Sequence, residues 1–459
     1  MTARLTESRM YGHLWGTPRM RAIFSEDARL RSWLHILIVL ADAQAQLGLI
    51  PDTAAKAIAT HADADRLNMD LIAHETRRTG HSMLGLIAGL RAVLPDEARE
   101  HVYHGATVQD ITDTWTALAL RHAGATVWSD LWALEDLLLD LAEQHRDTVM
   151  IGRTHGQAGA VITFGWKVAT WADEVRRHLD RLRSGADRWL VGQLGGAVGT
   201  GAFFGADAVA LRELFCTRLG LAAPRISWLS TRDRVAEFGS TLAQLGATLG
   251  RIGNEIYALA RSSIAEVHEA ADRAAVSSIT MPHKRNPERS EHLVTLARLV
   301  TPHSQLLIDA MIGEHERDGR SWKTEWVALP EICLLVGTSA EIACDVVAGL
   351  EVDADTMAAN VDAHRHGLAS ERLLVAATRT IGKHSAQRLL QDVLTTARSG
   401  HAPFEQAVIN SDDLRTHLGS DAVRAALDAP PDTGAAGQMV DAVVAAARAR
   451  RVEESARWP

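Results

Sequence analysis

Between residues 235 and 262, small residues recur at Gly239, Ala243, Gly246, Gly250 and Gly253, three or four places apart. That interval lines one face of an α-helix. Glycine weakens a solitary helix by about 1 kcal/mol per position. A stretch carrying four of them therefore stays helical where another helix lies close against the stripe. The segment calls for a long partner helix, and the architecture that supplies one is a bundle. The rest of the chain agrees. Apolar residues keep helical intervals through 30–49, 114–145 and 162–182, whereas alternation of period two is nearly absent. Breaks rich in Gly, Pro or Asp fall near Pro95 and at 351–355. The expected fold is all-α, with a small N-terminal helical domain (1–100), a long-helix central bundle (101–350) and a small C-terminal helical domain (351–459).

Composition narrows the function classes. A formal charge of −9 over 459 residues disfavours a nucleic-acid backbone as partner. Cys216, Cys333 and Cys344 form no CxxC pair, which suits a reducing cytoplasm and offers no zinc framework. The first residues include Arg4, Glu7 and Arg9 and no apolar h-region, so no signal peptide is expected. The longest apolar stretch, near 36–41, is too short to span a bilayer, so no membrane association is expected. The six glycines between 192 and 205 lack a Gly-Lys-Ser/Thr ending and read as a tight connection between helices, not a phosphate cradle. His101 with His104, and His364 with His366, have partial ligand spacing but no accompanying carboxylate or thiolate set; neither a metal nor a cofactor is expected.

Three separated segments carry chemistry. In His104-Gly-Ala-Thr-Val-Gln-Asp-Ile-Thr-Asp-Thr, a run of small residues leads into a long helix. Thr107, Gln109 and backbone N–H groups there can hold an anion at the helix N-terminus. An ordinary helix start capped by Thr107 or Asp110 is equally compatible. In Gly152-Arg-Thr-His-Gly-Gln, His155 sits among small and polar neighbours, either as a proton carrier near neutral pH or as a loop histidine bonded to a carbonyl. In Ser277-Ser-Ile-Thr-Met-Pro-His-Lys-Arg-Asn-Pro, hydroxyls, a lysine and an asparagine are packed into one loop. A serine there can remove a proton from carbon beside a carboxylate, while a cation and amide donors hold the developing charge.

The third string closely resembles the SSxMPxKxN signature of the fumarase/aspartase superfamily, whose members eliminate across a succinyl skeleton. The first resembles that family's HxGxTSxDxxDT segment, with Val108 in place of its usual serine, and the second its GRTHGQ segment. The resemblance implies Ser278 as base, His155 as the group that protonates the leaving group, and Thr107, Gln109 and Thr154 as contacts to substrate. It further implies that Lys284 and Asn286 bind the carboxylate that becomes an aci-type dianion. Ala270 to Val276 is alanine-rich where the family carries glycines. By the same resemblance, a homotetramer with three chains building each site is expected.

His315-Glu-Arg-Asp-Gly-Arg-Ser-Trp-Lys-Thr-Glu-Trp is similar to the HERxxGxWHAEW region of bacterial 3-carboxy-cis,cis-muconate cycloisomerases, with Lys323 replacing the usual histidine. The serine-rich phosphate element of adenylosuccinate lyases is missing there. Yet cycloisomerases usually carry tryptophan where this chain has His155. Gly80-His-Ser also resembles the TGH segment of lyases, making His81 either a contact near the leaving group or a surface histidine. The expected activity is β-elimination from a C2-substituted succinate with release of fumarate. The leaving group is expected to be nitrogen, as in an amine-substituted aspartate or a nitrosuccinate. The alternative is lactone formation by a muconate cycloisomerase.

Overall fold

The computed structural model describes residues 4–270 and 280–458. Its body is a bundle of long helices: α1 (Val108–Gln144), α2 (Phe164–Trp189), α3 (Asp233–Leu259), α4 (Glu288–Asp309) and α5 (Gly319–Ala348). Between α1 and α2 runs an antiparallel hairpin, β1 (Val149–Thr154) and β2 (Gln157–Thr163). Two-residue strands β3 (Val267–His268) and β4 (Glu351–Val352) pair just before the segment carrying Ser278.

The glycine stripe of α3 is the seam with α4. A Cβ on Gly250 would lie 2.6 Å from Ala297 Cβ, and one on Gly253 would lie 2.8 Å from both Leu293 Cβ and Ser290 O. The bare backbone thus allows a closer helix approach than side chains would permit. Around this seam Trp128, Trp171, Phe164, Phe238, Leu245 and Val336 fill one continuous core. Replacing any of these aromatic side chains by alanine would cost about 3–5 kcal/mol.

N-terminal helices such as Glu26–Gln46 and Leu84–Val93 pack Leu37, Leu40, Met83 and Leu90 into a second cluster, which reaches α1 at Val108 and Ile111. Toward the C-terminus Leu373, Leu390, Val408, Leu414 and Leu427 form a separate small core. The last helix, Ala436–Glu453, instead returns to α2 and places Val440, Val444 and Ala447 in the bundle core.

Two local readings change. α1 starts at Val108, not near 114, because Thr107 and Asp110 form a reciprocal capping box, the Thr107 N–H donating to Asp110 Oδ2 at 2.8 Å. The GRTHGQ string is the end of a hairpin and not a plain loop before a helix. Its strands read weakly in sequence because Gly152, Ala158, Gly159 and Ala160 carry little β preference. One helix, α5, is in fact long and apolar enough to cross a membrane. Its apolar residues Leu329, Ile332, Val336 and Ala340 are instead buried in the bundle.

Candidate active site

At the N-terminal end of α1, Asp110 organises the backbone. It is fully buried and accepts from Thr107 N at 2.8 Å, Gly195 N at 2.8 Å and Gly196 N at 3.0 Å. Burial pushes its carboxyl up to about 7, against the pull of those donors. The glycine-rich connection is thereby fastened across the helix start. Gly105 closes the turn at φ +71°, and a Cβ there would run into the rings of Phe203 and Phe204. Arg317 arrives from the turn before α5 and donates to Thr107 Oγ1 at 2.6 Å and to Ala197 O at 2.8 Å. Because Asp110 already takes the Thr107 N–H, an anion here would meet a guanidinium and a hydroxyl instead of that amide.

Further along the same helix start, Asp113 belongs to a buried charge triad. Arg232 donates to Asp113 from Nη1 and Nη2 (2.9 and 3.0 Å) and to Glu325 from Nε and Nη2 (2.8 and 2.5 Å). The three side chains are 2%, 1% and 4% exposed, so the cluster carries two carboxylates against one cation in a dry setting. Burial raises the Glu325 carboxyl while Arg232 opposes the rise. Burial works against the Arg232 charge, yet Asp113 and Glu325 hold its pKa above the ordinary value. The triad locks the first turns of α1 and α5 together, and with them Thr107 and Lys323.

The hairpin end is built differently. Thr154 pairs with Gln157, leaving His155 (φ +51°) and Gly156 (φ +75°) as a two-residue turn with both residues left-handed. This is a type I′ geometry, which follows the twist of the strands. Histidine in that region costs roughly 1 kcal/mol, so the hairpin holds an imidazole in a strained, exposed place. Arg153 anchors the hairpin to Glu266 through two bonds of 2.7 and 2.9 Å. Glu269 accepts from Ser290 N at 2.7 Å and Arg289 N at 3.3 Å, and Arg285 donates to Glu269 O at 2.8 Å. The two flanks of the signature segment are therefore tied to each other.

The predicted residues thus fall into two groups. Thr107, Gln109, Lys323 and the unanticipated Arg317 gather where α1 and α5 begin. Thr154, His155, Lys284 and Asn286 belong to the opposite end, with the hairpin and the start of α4. α1 alone, at 37 residues, spans roughly 55 Å, and a six-residue strand reaches only about 20 Å. One chain does not bring the two groups together. Gln109 is fully buried, its Nε2 donating to Leu229 O at 3.3 Å. His81 caps a helix start, Nδ1 accepting from Met83 N at 3.2 Å and Leu84 N at 3.3 Å. Lys323 is exposed, with Trp322 and Trp326 edge-to-face beside it on the same turns. Ser278 lies outside the described residues. Sequence reasoning missed Arg317, Arg232 and Glu325. The usable signal was charge within otherwise apolar helix starts, since Asp110 and Asp113 stand three apart on one buried face.

The helical bundle, the buried helix start and the hairpin histidine together define a lyase architecture. A family model described as Lyase matches residues 15–301, and the chain belongs to the fumarase/aspartase superfamily. It is 38% identical to an N-acetyl-S-(2-succino)cysteine lyase of Dickeya dadantii, over 97% of this chain and 98% of that protein. It is 35% identical to a nitrosuccinate lyase of Streptomyces davaonensis, over 94% of this chain and 92% of that one. The solved 3-carboxy-cis,cis-muconate lactonizing enzyme of Pseudomonas putida superposes with a TM-score of 0.87 at 32% identity, covering 96% of this chain and 99% of that chain. The chain is thus an enzyme of this lyase superfamily.

Proposed function

We propose that the protein eliminates a heteroatom group from C2 of a substituted succinate and releases fumarate, and that the group is a thiol. Ser278 removes the C3 proton. The C2–S bond breaks as the C2=C3 double bond forms, and the departing thiolate takes a proton from His155. Lys284 and Asn286 hold the dianion that builds up on the carboxylate beside C3, and Thr107 with Arg317 receives the other carboxylate.

The observation that carries this reading is the imidazole kept at the strained hairpin turn. A lactonising reaction joins carboxylate to alkene within one molecule and expels no separate group that needs a proton. Elimination from a thioether expels a separate, basic thiolate, which a proton donor at the site assists and captures. The 38% identity to a succinocysteine lyase supports sulfur as the leaving atom, in place of the nitrogen expected from sequence. A nitrogen leaving group stays as the second reading, supported by the 35% identity to a nitrosuccinate lyase.

The separation of the two residue groups along the bundle supports assembly from several copies, in which one chain's hairpin end meets another's helix-start end. Leu299 and Leu306 on α4, Met311 and Ile312 in the turn after it, and Trp326 and Val327 on α5 are exposed, Ile312 at 83%, which suits burial against neighbouring copies. A homotetramer fits this arrangement.

The test is to incubate the protein with N-acetyl-S-(2-succino)cysteine, nitrosuccinate and carboxymuconate and to follow products by NMR. Fumarate from the thioether, at a kcat/KM at least tenfold above the other two, is expected. Lactone without fumarate would overturn the reading.

A further inference from the structure

Glu266 has no exposed side-chain surface, yet it lies in none of the motifs that name the reaction. Its Oε1 and Oε2 accept from Arg153 at 2.7 and 2.9 Å, and Oε1 also accepts from Asn360 Nδ2 at 2.9 Å. Its backbone is fixed as well: the N–H donates to Leu259 O and the carbonyl accepts from Asp353 N, both at 3.0 Å. Arg153 lies two residues before His155, where the register shifts between Gly152 and Arg153. Glu266 immediately precedes β3, which leads into the signature segment. Asn360 belongs to the helix Ala354–Ala363. One buried carboxylate thus joins the hairpin, the root of the signature segment and the C-terminal region.

A hairpin of six- and seven-residue strands ending in a strained turn does not hold its own direction. Its tip is exposed, so its aim is set by what holds the strands just below it, and Arg153, which pairs with Ala158 one step from the turn, makes its charged bond to Glu266 there. A bidentate guanidinium–carboxylate pair fixes both distance and plane. We propose that Arg153 and Glu266 are positioning residues for leaving-group protonation: their pair fixes the direction in which the hairpin presents His155. This rests on the elimination reading above and adds to it a pair that touches no reacting atom.

The consequence is selective. Misaiming His155 slows departure most for the most basic leaving group. Alkyl thiolates are more basic than nitrite or aryl thiolates and therefore gain more from the proton. General loss of folded enzyme would slow both alike.

The experiment compares wild type, Glu266→Gln, Arg153→Lys and His155→Asn on an S-alkyl succinate and an S-aryl succinate. Wild-type turnover of the S-alkyl compound is measured first. Its absence would refute the reading of a thiol as leaving group, independently of the joint. Given that turnover, Glu266→Gln should lose tenfold or more in kcat on the S-alkyl substrate and less than threefold on the S-aryl one, matching His155→Asn in pattern. Arg153→Lys keeps the charge but not the fork, and should show the same selectivity at a smaller, three- to tenfold loss. Should Glu266→Gln fail to fold, Arg153→Lys decides alone. Equal losses on the two substrates, or no loss on either, would overturn the joint.

Discussion

Replacing Arg232 by methionine takes the cation out from between Asp113 and Glu325. Both carboxylates are nearly sealed from water, at 1% and 4% exposure, and would then confront one another without a counter-charge. Removing one partner of a buried ion pair costs about 3–5 kcal/mol, and a remaining pair of like charges favours the upper end. Glu325→Gln is the informative contrast. It leaves Arg232 and Asp113 as a balanced pair and gives up one charged acceptor, which costs about 1–2 kcal/mol. pH supplies a second discriminator. Burial already raises the Glu325 carboxyl against the pull of Arg232, and the variant removes that pull. Its protonated form therefore preserves stability at low pH, and that stability is lost as pH rises through the raised value. The Arg232→Met penalty should thus shrink between pH 7.5 and pH 5.5, while the Glu325→Gln penalty moves the other way, because the raised wild-type Glu325 carboxyl contributes most at the lower pH. Thermal melts and urea midpoints of the three proteins at both pH values measure this, with a depression of about 3–5 °C expected for Arg232→Met at the higher pH. A melting point equal to that of Glu325→Gln, or a penalty that does not move with pH, would refute the assignment of the triad as a charge-balanced lock.

Further outcomes follow from other contacts. Ser278→Ala should lower kcat by about 100- to 10,000-fold, with circular dichroism unchanged; full turnover would remove it as the base. Gly105→Ala forces a side chain into the left-handed region and against Phe203 and Phe204, and should lower stability by about 1–3 kcal/mol, read in urea. Asp110 has a folded pKa of about 7, above its ordinary value, so its contribution to stability is full at low pH and declines as pH rises toward 7. The melting point of Asp110→Asn relative to wild type should accordingly climb between pH 5 and pH 8, and a constant difference would contradict the buried carboxylate. Light scattering should give four times the 49.8 kDa chain mass; a monomer that still turns over substrate would contradict shared sites.

The legible part of the site was the part written in short strings. Thr107, His155, Lys284 and Asn286 stand in motifs whose spacing survives any context, and the Thr107–Asp110 capping box was visible as a local pattern. Arg317 was visible as a letter but not as a partner of Thr107, because 210 residues separate the two. The same holds for Arg232, which is 119 residues from Asp113 and 93 from Glu325. Gln109 read as an open amide and is enclosed, since the face that a helix start buries depends on what packs above it. The hairpin escaped because glycines and alanines erase the period-two signal that valine and isoleucine give elsewhere.

By itself the sequence determined the helices, the glycine seam that demands a close neighbour, and the reaction family. Each rests on interactions a few residues apart: helical periodicity, caps, and a loop whose chemistry is carried by adjacent side chains. Tertiary structure alone decided that these motifs stand at opposite ends of the bundle, that Asp110 and Arg232 fasten one end, and that Glu266 fastens the other. The physical reason is that a buried charge is stable only beside its counter-charge. Which counter-charge that is depends on the path of the chain through space, which no local pattern records.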